Sequence, residues 1–220
     1  MEDLLNRSAL LSQAILSTVD HPPADDSPRP LASVDAALLS LEHADALRML
    51  MAGGMASSAA ALFRCQYEAF TRSVWILHCA PDEQVELLSR PPQAGASEKG
   101  LPTLSKMLDA FAQVSLLDNL LPHLIELKVY AWSSLNSFVH AGVHALSRSR
   151  DGFPTPLAID VIRMSNNLSM MAGQQLAILT GLPDLQKEVH RLNETYAGCL
   201  LFDEGKRRAI EAALLSGQSS

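Results

Sequence analysis

The chain has 220 residues, 48% of them hydrophobic and only 5% aromatic, with a formal net charge of -7. That length and apolar content suit one domain with a substantial core, while the negative balance excludes a broad basic surface for nucleic acid and leaves room only for a local cleft. Three cysteines without a CxxC pair, Cys65, Cys79 and Cys199, exclude a disulfide framework and are expected as buried thiols of a reducing compartment.

Ala, Leu, Met, Glu and Gln dominate the periodic segments, and no stretch alternates apolar and polar residues cleanly, so the chain is expected to be all-α: a single-domain bundle of about seven or eight helices. Leu4, Leu5, Leu11, Ile15, Leu16 and Val19 recur at helical spacing and predict an amphipathic helix over residues 1–19. The opening Met1-Glu2-Asp3 lacks the basic run of a signal peptide, and no apolar run is long enough to cross a bilayer, so a cytoplasmic protein without membrane contact is expected.

Residues 20–30, with four prolines and three aspartates, read as a linker ahead of a helical core domain over 31–216. A helix is predicted from about Ser33 to Met51, ended by Gly53-Gly54, and a second runs from the small-residue stretch Ala56 to Ala61 through Phe70 and beyond. Small residues let helices approach closely, which serves either tight core packing or a dimer seam. Pro81-Asp82-Glu83 opens a short helix, and residues 90–102 read as a loop.

Thr103 to Leu117 is predicted helical, followed by one long helix from about Asp118 to about Leu146 that tolerates Pro122 in its first turn. Arg150 to Pro154 is a turn, the next helix runs from about Pro156 to Thr180, and Gly181-Leu182-Pro183 stops it. Helices over about 184–195 and 203–215 follow, and 217–220 is a polar tail expected to fray.

Two constellations carry chemistry. Arg64, Glu68 and Arg72 are spaced by four, so successive side chains rotate by only about 40° and share a helical face. On a helix that also holds Phe63, Phe70, Val74 and Trp75, such charges imply either a structural ion network or a lined pocket. The second is the segment from Tyr130 to His144, where Trp132, Asn136, His140 and His144 fall on one predicted face, with Ser133 beside them.

A histidine in that stripe suits a general base near neutral pH, with asparagine or serine orienting its ring or a substrate phosphate; the bland alternative is a hydrogen-bonded core histidine. His140 and His144 have the spacing at which two imidazoles can share a metal, but Ala141 stands where a zinc protease has its glutamate and no third ligand is near, so no metal and no cofactor is expected. No phosphate loop and no GxSxG motif is present.

The run Leu135-Asn136-Ser137-Phe138-Val139-His140 resembles the signature of the HEPN superfamily, small helical domains of bacterial toxins and phage-defence systems, in which an arginine, often followed by asparagine, precedes a histidine. The asparagine and histidine match, and Leu135 takes the place of the arginine. With the Arg64/Glu68 helix and the helix bearing Tyr130, Ser133 and His140, the likeness spans about half of the chain, Ala56 to Ser147.

The resemblance implies a bacterial, homodimeric protein with a defence or toxin–antitoxin role, acting alone or with a partner protein of the same operon. In active HEPN members the arginine and histidine cleave RNA together, without metal, at a dimer interface. On that basis His140 would be the acid or base, Asn136 would position phosphate, and Arg64 or Arg72 would replace the missing arginine, with Glu68, Trp132, Ser133 and His144 contacting an RNA or nucleotide ligand. The alternatives are a catalytically silent helical module, or a sensor of a small anionic ligand using Arg64, Trp75, Trp132 and His140.

Overall fold

A computed structural model describes residues 1–90 and 100–201. It is all-helical, with no strand among these residues. The described residues form nine α-helices and two short 3₁₀ turns, more than the seven or eight expected. The helices are α1 (Glu2–Thr18), α2 (Pro28–Ala52), α3 (Ala56–His78), α4 (Asp82–Ser89), α5 (Leu104–Phe111), α6 (Leu121–Val139), α7 (Val143–Asp151), α8 (Thr155–Leu179) and α9 (Pro183–Thr195). The segments predicted at 203–215 and 217–220 lie outside the described residues.

Several boundaries differ from the sequence reading, among them Arg150 and Asp151, expected in a turn but closing α7. The linker ends early, because Pro28 and Pro30 stand in the first turn of α2, where the missing proline N–H groups would have no helical partner anyway. The stretch 103–117 splits into α5 and a 3₁₀ turn at Ser115–Leu117. Most consequentially, the long helix predicted over 118–146 starts at Leu121 and stops at Val139.

The stop is a tight reversal. Ala141 adopts φ 50, and Gly142 N–H donates to the Ser137 carbonyl at 2.7 Å, the bond pattern of a left-handed helix cap. A Cβ on Gly142 would come within 2.8 Å of Ser137 Oγ, so the close approach requires glycine there. Ser137 Oγ in turn accepts from His144 N–H at 2.8 Å and caps the start of α7.

Helices α2 and α3 form the central antiparallel pair. The turn between them has the same cap with the usual residue: Gly54 takes φ 75, and Met55 N–H donates to the Leu50 carbonyl at 2.8 Å. Alignment along the pair is set by buried hydroxyls: Ser33 and Ser73 exchange hydrogen bonds near one end, and Ser40 donates to the Gln66 carbonyl nearer the other.

Helix α8 lies across both, joined through Gln66 to Ser165 and Ser169, and through Gln175 to Ser33. Around this ladder Leu11, Ile15, Phe63, Phe70, Phe111, Ile162 and Leu168 form one buried core. Helix α1 contributes to that core and is tied to α2 by Ser12 donating to Asp45 at 2.7 Å, so it is an integral part of the bundle. Helix α6 closes over the far side of α3, where the buried Tyr67 hydroxyl donates to the Leu124 carbonyl at 2.7 Å and the Tyr67 ring packs against Trp132, tilted by 60° with centroids 5.8 Å apart.

Candidate functional site

The Tyr67 contact fixes the height of α6 on α3, and that register brings Arg64 to the C-terminal turn of α6. Its Nη1 donates to Asn136 Oδ1 at 2.6 Å and stands 3.5 Å from His140 Nε2, at the outer limit of a hydrogen bond. Its Nε donates to Glu68 Oε1 at 2.9 Å, and its Cζ lies 4.8 Å from the centre of the Trp132 ring.

Four side chains from two helices therefore converge on one guanidinium. Arg64 is largely covered while His140 is exposed, so the cluster is anchored inside and open outside. His140 terminates α6 rather than lying within it, which frees its ring from the packing of a continuous helix.

Of the predicted residues, Arg64, Glu68, Trp132, Asn136 and His140 are brought together. Arg72 is not in this contact set; it lines, with Glu68 and Trp132, an adjoining cleft of about 330 Å³ closed by Pro102 to Ser105. The Arg64–Glu68–Arg72 stripe is thus the wall of an open cleft rather than a closed ion network. Ser133 lies on α6 with its side chain outside what is described.

His144 is a correction. The reversal at Ala141–Gly142 puts it on α7, beside a separate apolar pocket lined by Leu135, Phe138 and Phe153, so the two histidines do not form a helical metal pair. Leu135, in the position of the motif arginine, is buried against that pocket, which Ala60 of α3 also lines. Among the described residues no three His, Cys, Asp or Glu side chains group as a metal site. Trp75 is buried in the core and absent from the lining of the cleft.

The cysteines also differ from expectation: all are free, but only Cys199 is buried, and Cys65 and Cys79 are half-buried. Burial pushes all three thiols above their ordinary range. The sequence reading missed a larger groove, about 860 Å³, between α8 and α9, with Met170, Met171, Lys187 and Arg191 among its lining. Its residues come from two helices and from Leu200–Leu201 beyond them and carry no motif, so only packing reveals it.

Fold and site together define an all-α protein with an arginine, an asparagine and a histidine gathered at one helix end. The chain belongs to a family of unknown function, DUF6988, whose model matches residues 37–202 and so includes α3, α6 and every residue of the site. No curated protein and no solved structure matches it. None of the described helices is long and apolar enough to cross a membrane.

Proposed function

We propose that this protein is a metal-independent endoribonuclease of HEPN-like type, cytoplasmic, serving a bacterial defence or toxin–antitoxin system. The observation that carries the reading is the contact of Arg64 with both Asn136 and His140, since it supplies from α3 the arginine that the motif on α6 lacks. An exposed imidazole beside an anchored guanidinium suits phosphodiester transfer.

In that reaction the His140 ring takes the proton of a ribose 2′-hydroxyl. The 2′-oxygen then bonds to phosphorus, the bond from phosphorus to the 5′-oxygen breaks, and the leaving oxygen takes a proton from water, giving a 2′,3′-cyclic phosphate and a 5′-hydroxyl. Arg64 holds the non-bridging oxygens as their charge grows, and Asn136 fixes the guanidinium plane. The requirement for a 2′-hydroxyl makes RNA, not DNA, the substrate.

A homodimer fits the same reading. Ile125 and Val129 continue the Trp132–Asn136–His140 stripe along α6, and Val129 and Val143 are 82% and 81% exposed. An apolar surface flanking the site suits a second subunit. The same surface favours the second reading, a catalytically silent dimerisation module.

The test is cleavage of an RNA pool by the purified chain, with and without chelator, against a DNA control of the same sequence. Cleavage that survives chelator and is lost in folded His140→Ala and Arg64→Ala proteins supports the nuclease. An intact RNA pool sinks it and leaves the module.

A further inference from the structure

The cleft beside Arg64 has a chemistry of its own. Glu68 and Arg72 are one helical turn apart, a spacing at which they would ordinarily pair with each other. Instead Glu68 turns Oε1 to Arg64, which leaves Oε2 with its lone pairs, and Arg72 makes no ion pair with any described residue. Both line the cleft of about 330 Å³, with the Trp132 indole from α6 and the Thr103 and Ser105 region opposite. A carboxylate acceptor and a guanidinium donor thus stand side by side, about 5–6 Å apart at Cβ, next to an aromatic surface.

We propose that this cleft is a guanine-selective nucleotide subsite. Guanine presents two donors, N1–H and the N2 amino group, next to two acceptors, O6 and N7. Glu68 accepts from the donors, Arg72 donates to the acceptors, and the indole of Trp132 covers part of the base.

Adenine reverses the match. It turns its unprotonated N1 toward the carboxylate and its N6 amino group toward the guanidinium, leaving both protein groups unpaired. Pyrimidines are too short to engage both residues. Because Glu68 is shared with Arg64, a guanine held here places an adjoining phosphate toward His140. That last step rests on the ribonuclease reading, whereas base selectivity does not.

The experiment is a titration of the full chain with 5′-guanosine monophosphate and with 5′-adenosine monophosphate, followed by calorimetry and by tryptophan fluorescence. The guanine nucleotide is expected to bind at least about tenfold more tightly. Glu68→Gln and, separately, Arg72→Met, each checked for folding by circular dichroism, should each weaken it about tenfold while changing the adenine nucleotide little.

Equal affinities, no guanosine monophosphate binding, or unchanged affinity in either folded variant would overturn the proposal. If Glu68→Gln does not fold, Arg72→Met decides alone. Selective binding without RNA cleavage keeps the subsite and removes the nuclease. Cleavage without nucleotide selectivity, and indifferent to guanine beside the cut, does the reverse.

Discussion

Helix α3 has two polar faces, and they are built for different ends. Toward α2 and α8 it offers Gln66 and Ser73, fully buried, with their side-chain polar groups taken up by partners within the protein. Toward α6 it offers Arg64, Glu68 and Arg72, partly exposed, with hydrogen-bonding capacity left over beside a cleft. Both faces break the rule that a central helix should be apolar. The difference is satisfaction: a buried group with all its partners fixes register, while a group with spare donors at an opening is free to bind.

The largest expected effect concerns the face toward α6. On the proposed ribonuclease reading, His140→Ala should lower RNA cleavage by about 10²–10⁴-fold and Arg64→Ala by about 10²–10³-fold, measured as initial rates, with unfolding free energy reduced by no more than about 1 kcal/mol because the Arg64 ion pair is partly solvated. A loss of activity accompanied by global unfolding would erase the distinction between the faces.

Next comes the structural face. Gln66→Ala removes the acceptor of Ser165 Oγ, held at 2.6 Å, and the donor to the Ser165 carbonyl at 2.9 Å, and leaves a void at a site with no solvent access. Denaturant titration should show a loss of about 3 kcal/mol. Retention of full stability would mean that the ladder does not hold α8 in place.

A smaller effect is expected where α6 ends. The left-handed cap position is glycine at Gly54 but alanine at Ala141, so only the turn that carries His140 is under backbone strain. Ala141→Gly should raise the unfolding free energy by up to about 1 kcal/mol, offset in part by the freer unfolded chain. If activity falls as stability rises, the strain serves to hold His140.

The smallest effect concerns the last turn of α3, where burial pushes His78 below the usual histidine range. The folded state then binds that proton less well than the unfolded chain does. The contribution of His78 is therefore intact above about pH 6.5 and is lost as the pH falls through the lower folded value. His78→Gln should flatten the stability profile on the acid side of neutrality in thermal melts, and an unchanged slope would assign the acid sensitivity to other groups.

Much of this was legible in the sequence. Helical periodicity is local, so composition and spacing gave the all-α class, the helix around Arg64, and the shared face of Arg64, Glu68 and Arg72. The spacing of Asn136 and His140 also placed them on one side of α6, because one turn separates them.

Where chains of such spacing stop was not legible: no proline marks the end of α6, and its single glycine, Gly142, comes one residue after an alanine that takes the left-handed cap position itself. That break moved His144 to another pocket.

What the sequence by itself determined, then, is which residues share a helix face, since that depends only on rotation per residue. What only the tertiary structure decided is which faces meet. Arg64 and Asn136 are 72 positions apart, and their contact depends on how far α6 slides along α3. That height is held by the Tyr67–Leu124 hydrogen bond and the Tyr67–Trp132 ring contact. The far wall of the cleft, at 102–105, arrives only once α5 is docked. Relative position of two helices is set by side chains along their whole contact, so no local pattern encodes it.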